Sequence, residues 1–122
     1  MTQAASKLSQ RTPQEVFEHH VQALGAEDLE GILLDYPETA RVITPAGVAQ
    51  GKDAIREVFT RLIHDVPKAK WELKTTFTGD ILFLEWTADS AQANIPDGVD
   101  TFIFKDGMIA VQTIRYTAVP KK

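Results

Sequence analysis

Two residues of this chain set an acid–base group in an apolar context. His20 sits with helical spacing between Val16 and Leu24, on the side of a helix that packs inward. Asp100 shares one face of an alternating segment with Phe102 and Phe104. A sheltered imidazole can take or give a proton near neutrality, and a neighbouring carboxylate tunes it. An aspartate on an apolar face is costly unless paired. Each also has a plainer reading. His20 can be a core residue with one satisfied hydrogen bond, and Asp100 can cap a turn beside Gly98 in solvent.

Other side chains could complete a binding site around them. Trp86 alternates onto one face with Leu82, Leu84 and Ala88, which leaves Glu85 on the other. Near the end of the chain, Gln112, Ile114 and Tyr116 share one face, and Val111, Thr113 and Arg115 share the opposite one. Gln112 and Tyr116 are expected in a pocket and Arg115 at an interface. A register slip of one residue would exchange the sets. For Trp86 and Tyr116 the alternative is ordinary aromatic core.

Several chemistries are excluded. Cysteine is absent, so there is no disulfide, thiolate catalysis or cysteine metal site. His19 and His20 are adjacent and cannot both face one ion from a helix, and His64 suits a helix C-terminus. No metal or other cofactor is expected. No glycine-rich phosphate loop or nucleophile elbow occurs. The net charge of −4 and the lack of a basic cluster argue against nucleic acid and anionic membrane surfaces as partners. No apolar run would cross a bilayer and no signal peptide is visible, so a cytoplasmic location is expected.

The elements that must position these residues are legible in order. The chain is 122 residues, 43% hydrophobic and 25% charged, which suits one folded domain. Residues 1–11 are polar and expected to be a loose, flexible segment, with a single domain over 12–122. Thr12-Pro13-Gln14-Glu15 has capping-box spacing and opens a helix that Gly25 can end. Asp28 can cap a shorter helix carrying Leu29, Ile32, Leu33 and Tyr36. Short strands are expected over 39–43 and 48–50 around Pro45-Ala46-Gly47. A third helix carries Ile55, Val58, Phe59, Leu62, Ile63 and Val66 on one face. The period then becomes alternating. Strands are expected over 70–77, 81–93, 99–104 and 108–119, with turns at Thr78-Gly79-Asp80, Pro96-Asp97-Gly98 and Asp106-Gly107. Helices followed by a meander of long strands make an α+β order. A sheet apolar on both faces must cover both, and the helices cover one. A homodimer through the open sheet face is the expected cover for the other.

Three strings carry a family resemblance. HHVQALGAEDLEGI from His19, ITPAGVAQGKDAIREVF from Ile43 and VDTFIFKDGMI from Val99 resemble segments of bacterial ketosteroid isomerases and their SnoaL-like relatives. The similarity runs from Pro13 to about Thr117. It implies the nuclear transport factor 2-like fold, a cone-shaped cystatin-like roll. In it, three N-terminal helices pack on a curved mixed or antiparallel sheet and enclose one pocket. That fold hosts isomerases, cyclases, dehydratases, hydrolases and non-catalytic binders. In the isomerases a carboxylate base, a tyrosine and a protonated aspartic acid share the work. Carried onto this sequence, the base position falls on Thr44, the tyrosine on His20, a supporting tyrosine on Phe59 and the acid on Asp100. A threonine hydroxyl is no general base near neutral pH without an activator, so standard steroid isomerisation is not implied. The resemblance brings His20 and Asp100 together across the pocket as the catalytic pair, with Asp100 orienting His20. Thr44, Phe59, Trp86, Phe102, Gln112 and Tyr116 would surround a small, apolar, cyclic ligand. The competing reading is a non-catalytic ligand-binding or dimeric scaffold protein.

Overall fold

The computed structural model describes residues 9–121. Its elements are α1 (Pro13–Gly25), α2 (Leu29–Leu33), β1 (Arg41–Thr44), β2 (Gly47–Gln50), α3 (Lys52–Asp65), β3 (Lys70–Thr78), β4 (Ile81–Asp89), β5 (Ala93–Lys105), β6 (Met108–Arg115) and β7 (Val119–Pro120). The α+β order is as the sequence indicates. Of these elements, α1 and α2 precede the β1–β2 hairpin and α3 follows it.

Local chemistry explains the helix ends. The Thr12 hydroxyl accepts from Glu15 N at 3.1 Å and the Glu15 carboxylate accepts from Thr12 N at 2.8 Å, a complete capping box. Asp28 caps α2 by accepting from Gly31 N at 3.1 Å. Of the segment expected to be loose, residues 1–8 lie outside the described residues. Arg11, at its end, is tied down. Its guanidinium donates to Asp35 Oδ1 at 2.9 Å and to Gly107 O at 2.8 Å.

The strands form one mixed sheet in the order β2-β1-β6-β5-β4-β3, with β7 paired to β5. Only the β1–β6 pairing among these is parallel. Asp106 and Gly107 both have positive φ, 53° and 73°, as a tight β5–β6 hairpin requires. The last expected strand stops at Arg115, and the chain resumes pairing only at Val119.

The β4–β5 connection differs from the expectation. Pro96-Asp97-Gly98 is not a turn. It lies inside β5, where the register shifts between the pairs Trp86–Gly98 and Ala88–Ile95. Pro96 and Asp97 together oppose Thr87, which makes a bulge that absorbs a proline lacking its N–H. The turn lies at Ser90, whose hydroxyl accepts from Gln92 N at 3.2 Å and Ala93 N at 3.1 Å. Asp100 is therefore interior to a long strand and does not begin one. A second register shift follows Ile103, and the two bulges bend the sheet into its curve.

The concave face packs on the helices. Val16, Phe17, Ile32, Tyr36, Ile55, Phe59, Leu82, Phe102 and Ile109 are buried in one core. On the convex face Ile43, Ile81, Phe83 and Ile103 are exposed. Among the described residues no helix is long and apolar enough to cross a membrane.

Gly98 has a specific job at the β4–β5 bulge. A Cβ there would lie 2.1 Å from Trp86 Cε2, because the indole lies against the Gly98 backbone. Gly98→Ala should therefore destabilise the fold by about 3 kcal/mol, read from the urea midpoint. Gly25→Ala is the control: its Cβ meets nothing within 4 Å, and its midpoint should hold or rise.

Candidate functional site

The residues of interest converge on an apolar chamber of about 40 Å³ between α1, α3 and the concave sheet face. Phe17 and His20 enter from α1, Phe59 and Leu62 from α3, and Leu84, Trp86, Asp100 and Ile114 from the sheet. The rim lies between α1 and β3, at Leu24, Gly25, Trp71 and Leu73. Helical spacing puts Phe17 and His20 on one side of α1, and strand alternation turns Trp86 and Asp100 inward.

His20 is 3% exposed. Its ring lies among Phe17, Tyr36, Phe59 and Phe102, with centroids 5.5 Å away for Phe59 and 5.6 Å for Phe102. Its Nδ1 has no hydrogen-bond partner among the described residues. Burial lowers its pKa from 6.5 to about 4, with Asp35 opposing that trend and His19 adding to it. At neutral pH the ring is uncharged.

Asp100 is 6% exposed. Oδ1 accepts from Trp86 Nε1 at 2.9 Å and Oδ2 accepts from Gln112 Nε2 at 2.9 Å. Burial raises its pKa from 3.8 to about 7, against the pull of those two donors. Gln112 in turn accepts a hydrogen bond on Oε1 from the Tyr36 hydroxyl. Tyr36 and Gln112 are both fully buried, and the Tyr36 hydroxyl is held well above its usual pKa by burial, then by Asp100 and Asp35. Trp86, Asp100, Gln112 and Tyr36 thus form one interior polar chain.

The expected pair is only half realised. His20 and Asp100 line the same chamber, but no hydrogen bond joins them among the described residues; Asp100 is held by Trp86 and Gln112 instead. Burial also reverses their expected parts. The carboxyl titrates near neutrality and the imidazole does not. Phe59 and Trp86 line the chamber, Phe102 packs on His20, and Gln112 sits behind Asp100. Thr44 and Tyr116 are elsewhere. Both line a wider groove of about 680 Å³ between the β1–β2 hairpin, α3 and the end of β6. The Thr44 hydroxyl accepts from Ala46 N at 3.1 Å, within its own turn. The Tyr116 hydroxyl donates to Asp65 at 3.1 Å, and burial with Asp65 beside it pushes its pKa to about 12.

The single roomy pocket of the sequence reading is thus divided. Leu62 and Ile114 line both spaces and form the wall between them. Aromatic side chains fill most of the inner space, so it admits a group the size of one or two water molecules. A benzene ring occupies a cavity of about 150 Å³ in other proteins.

Sequence reasoning missed Tyr36 as a site residue, because it followed the apolar stripe of α2 and read as core. It also missed Asp35. That carboxylate is fully buried and accepts from Arg11 and from His19 Nδ1 at 2.8 Å, while Asp35 O accepts from Ile109 N at 2.8 Å. An aspartate next to an otherwise apolar Leu33-Leu34 end was the available signal. Among the described residues no group of His, Asp or Glu could hold a metal ion.

A family model described as a SnoaL-like domain matches residues 17–112. Several solved structures are similar. A SnoaL-like protein of unknown function from Burkholderia thailandensis has 18% identity and a TM-score of 0.69, over 96% of this chain and 98% of that one. An NTF2-like protein of unknown function from Cytophaga hutchinsonii has 16% identity and a TM-score of 0.71, over 88% and 92%. IdmH, a candidate polyketide cyclase from Streptomyces antibioticus, has 15% identity and a TM-score of 0.71, over 87% and 92%. At such identities the likeness is one of fold. Among curated proteins none matches the sequence.

The two buried groups pull stability in opposite directions with pH. Asp100 has its pKa raised on folding, so its contribution is full below 3.8 and is lost as pH rises through about 7. His20 has its pKa lowered, so its contribution is full above 6.5 and is lost as pH falls through about 4. Between those values the two slopes oppose one another. Asp100→Asn removes one of them. Its stability relative to wild type should climb by about 1.4 kcal/mol per pH unit from pH 4 to 7, measured by urea unfolding. A constant difference across that range would show that Asp100 keeps an ordinary carboxylate pKa.

Proposed function

The chain belongs to the SnoaL-like domain family, and within it we propose a small-molecule pocket protein that binds an apolar, cyclic ligand bearing an oxygen and can exchange a proton with it. What carries this reading is the placing of a carboxyl that titrates near 7 on an apolar chamber beside a neutral histidine. Asp100 is the proton-exchanging group. Half protonated at neutral pH, it can give a proton or a hydrogen bond to a ligand oxygen and take it back. His20, uncharged, offers that oxygen a second hydrogen-bonding group without a charge. The ligand's rings belong in the larger groove, whose volume is typical of binding sites. Rotation of Leu62 would admit only the oxygen-bearing end to the chamber.

The similarity to a candidate polyketide cyclase supports cyclic oxygenated compounds as the ligand class. A cytoplasmic location belongs to the same reading.

The test compares 2-naphthol with naphthalene, which lacks the hydroxyl. At tenfold excess over its Kd, 2-naphthol should stabilise the protein by about 1.4 kcal/mol and raise Tm by several degrees. Naphthalene should give markedly less, and Leu62→Trp should abolish the naphthol effect. Equal shifts for the two compounds, or none, would sink the reading.

A second copy of this chain is proposed to cover the convex face. Exposed Ile43, Ile81, Phe83 and Ile103 lie there with Lys74, Glu85, Arg41 and Arg115. Charges of both signs on one face suit pairing with an identical face, whereas a single sign would repel itself. Light scattering should give twice the 13.5 kDa chain mass. Phe83→Glu should halve it, with the circular dichroism spectrum kept; a wild-type monomer at micromolar concentration would reject the interface.

A further inference from the structure

We propose that Tyr36 is a positioning residue: its hydroxyl holds the Gln112 amide with Nε2 turned towards Asp100 and so tunes how readily Asp100 takes up a proton. The inference rests on the reading of Asp100 as the proton-exchanging group and extends it to a residue outside the chamber lining.

The argument is one of donors and acceptors. An amide can turn either its N–H or its oxygen to a neighbour, and the two choices favour opposite states of Asp100. With Nε2 towards it, the carboxylate is favoured. With Oε1 towards it, the protonated acid is favoured, since that acid alone has a hydrogen to give. Tyr36 decides between them. Its hydroxyl donates to Oε1 while Nε2 donates to Asp100 Oδ2 at 2.9 Å. Were the amide reversed, the Tyr36 hydroxyl hydrogen would have to find another acceptor. Tyr36 is fully buried, and a buried donor left unmade is costly. The other hydrogen bond to Asp100 comes from the Trp86 indole, which can only donate. Of the two groups bonded to Asp100, only the amide can therefore present either a donor or an acceptor to it.

The surroundings leave this effect legible. The titratable groups facing Asp100 from other elements are His20 on α1, Tyr36 after α2 and Tyr116 beyond β6. His20 is neutral above about pH 4, and both tyrosines are protonated through the neutral range. From α3 the chamber receives apolar Phe59 and Leu62.

Asp35 anchors the device. Its backbone oxygen accepts from Ile109 N at 2.8 Å, which fixes the chain just before Tyr36 to the start of β6, the strand that carries Gln112. Tyr36 and Gln112 are 76 residues apart in sequence, yet this link fixes where they meet.

Trp86 reports the titration directly, because its indole N–H is bonded to the carboxylate. The chain has two tryptophans, so Trp71→Phe assigns the signal. The full-length 15N-labelled protein is titrated from pH 4 to 9 and the indole shift is followed. Tyr36→Phe should raise the midpoint by roughly half to one pH unit, the size expected for loss of one hydrogen bond's bias. Gln112→Leu should raise it at least as far. Tyr36→Phe keeps the ring but removes a buried hydrogen bond, so a second probe that strengthens the donor separates tuning from loss of stability. The chain has two tyrosines. In a Tyr116→Phe background, 3,5-difluorotyrosine at position 36 should lower the midpoint. Midpoints unmoved by both changes at Tyr36 would overturn the proposal. A wild-type midpoint near 4 would instead overturn the reading of Asp100, while the difference between variants would still judge Tyr36.

Discussion

A carboxylate inside an aromatic core is the constraint around which this molecule is arranged. Removing Asp100 from water is costly unless both oxygens are satisfied, and the penalty grows if a partner is lost. Each oxygen here has one donor, and each donor is itself held. Trp86 reaches Asp100 because Gly98, lacking a side chain, lets the indole lie against the backbone. Gln112 reaches it because Tyr36 occupies the other end of the amide. The bulge at Pro96 and Asp97 sets the register that pairs Trp86 with Gly98. Sheet irregularity, glycine placement and a tyrosine after a short helix therefore serve one group.

The same burial that makes Asp100 expensive makes it useful. Desolvation pushes the carboxyl up and the imidazole down, and their ordinary pKa order is inverted. A half-protonated acid beside an uncharged base carries less charge at neutral pH than a fully ionised carboxylate would. The shape adds a size rule. The inner chamber has room for one small group, while the groove beyond Leu62 and Ile114 is wide enough for a larger body. Under the proposed function, binding and proton exchange would be divided between these two spaces in contact.

Much of the scaffold was legible because it depends on local rules. The capping box at Thr12, the one-sided stripe of α3 and the Asp106-Gly107 hairpin each follow from a few adjacent residues. The inward set Leu82, Leu84 and Trp86 followed from alternation. The errors arose where a local signal was overruled by pairing. Pro96-Asp97-Gly98 has the composition of a turn, but β4 pairs with Ile95 before it and with Gly98 at its end, and so draws it into a strand. Ser90 made the turn with its own hydroxyl, a weaker signal than proline and glycine. Thr44 and Tyr116 line the groove and not the chamber, a division made by Leu62 and Ile114, a wall that belongs to no single segment.

From the residues alone come the class of fold, the single acid on an apolar strand face and the absence of thiol chemistry. These depend on residue type and on periods of a few residues, which survive without knowledge of neighbours. Which groups touch Asp100, which way the Gln112 amide points and which of His20 and Asp100 carries the proton were decided only in three dimensions. Their partners lie 12 to 76 residues away, and the proton balance depends on how much water the packed rings exclude. No spacing along a chain encodes that exclusion; it exists only once the sheet has curved over the helices.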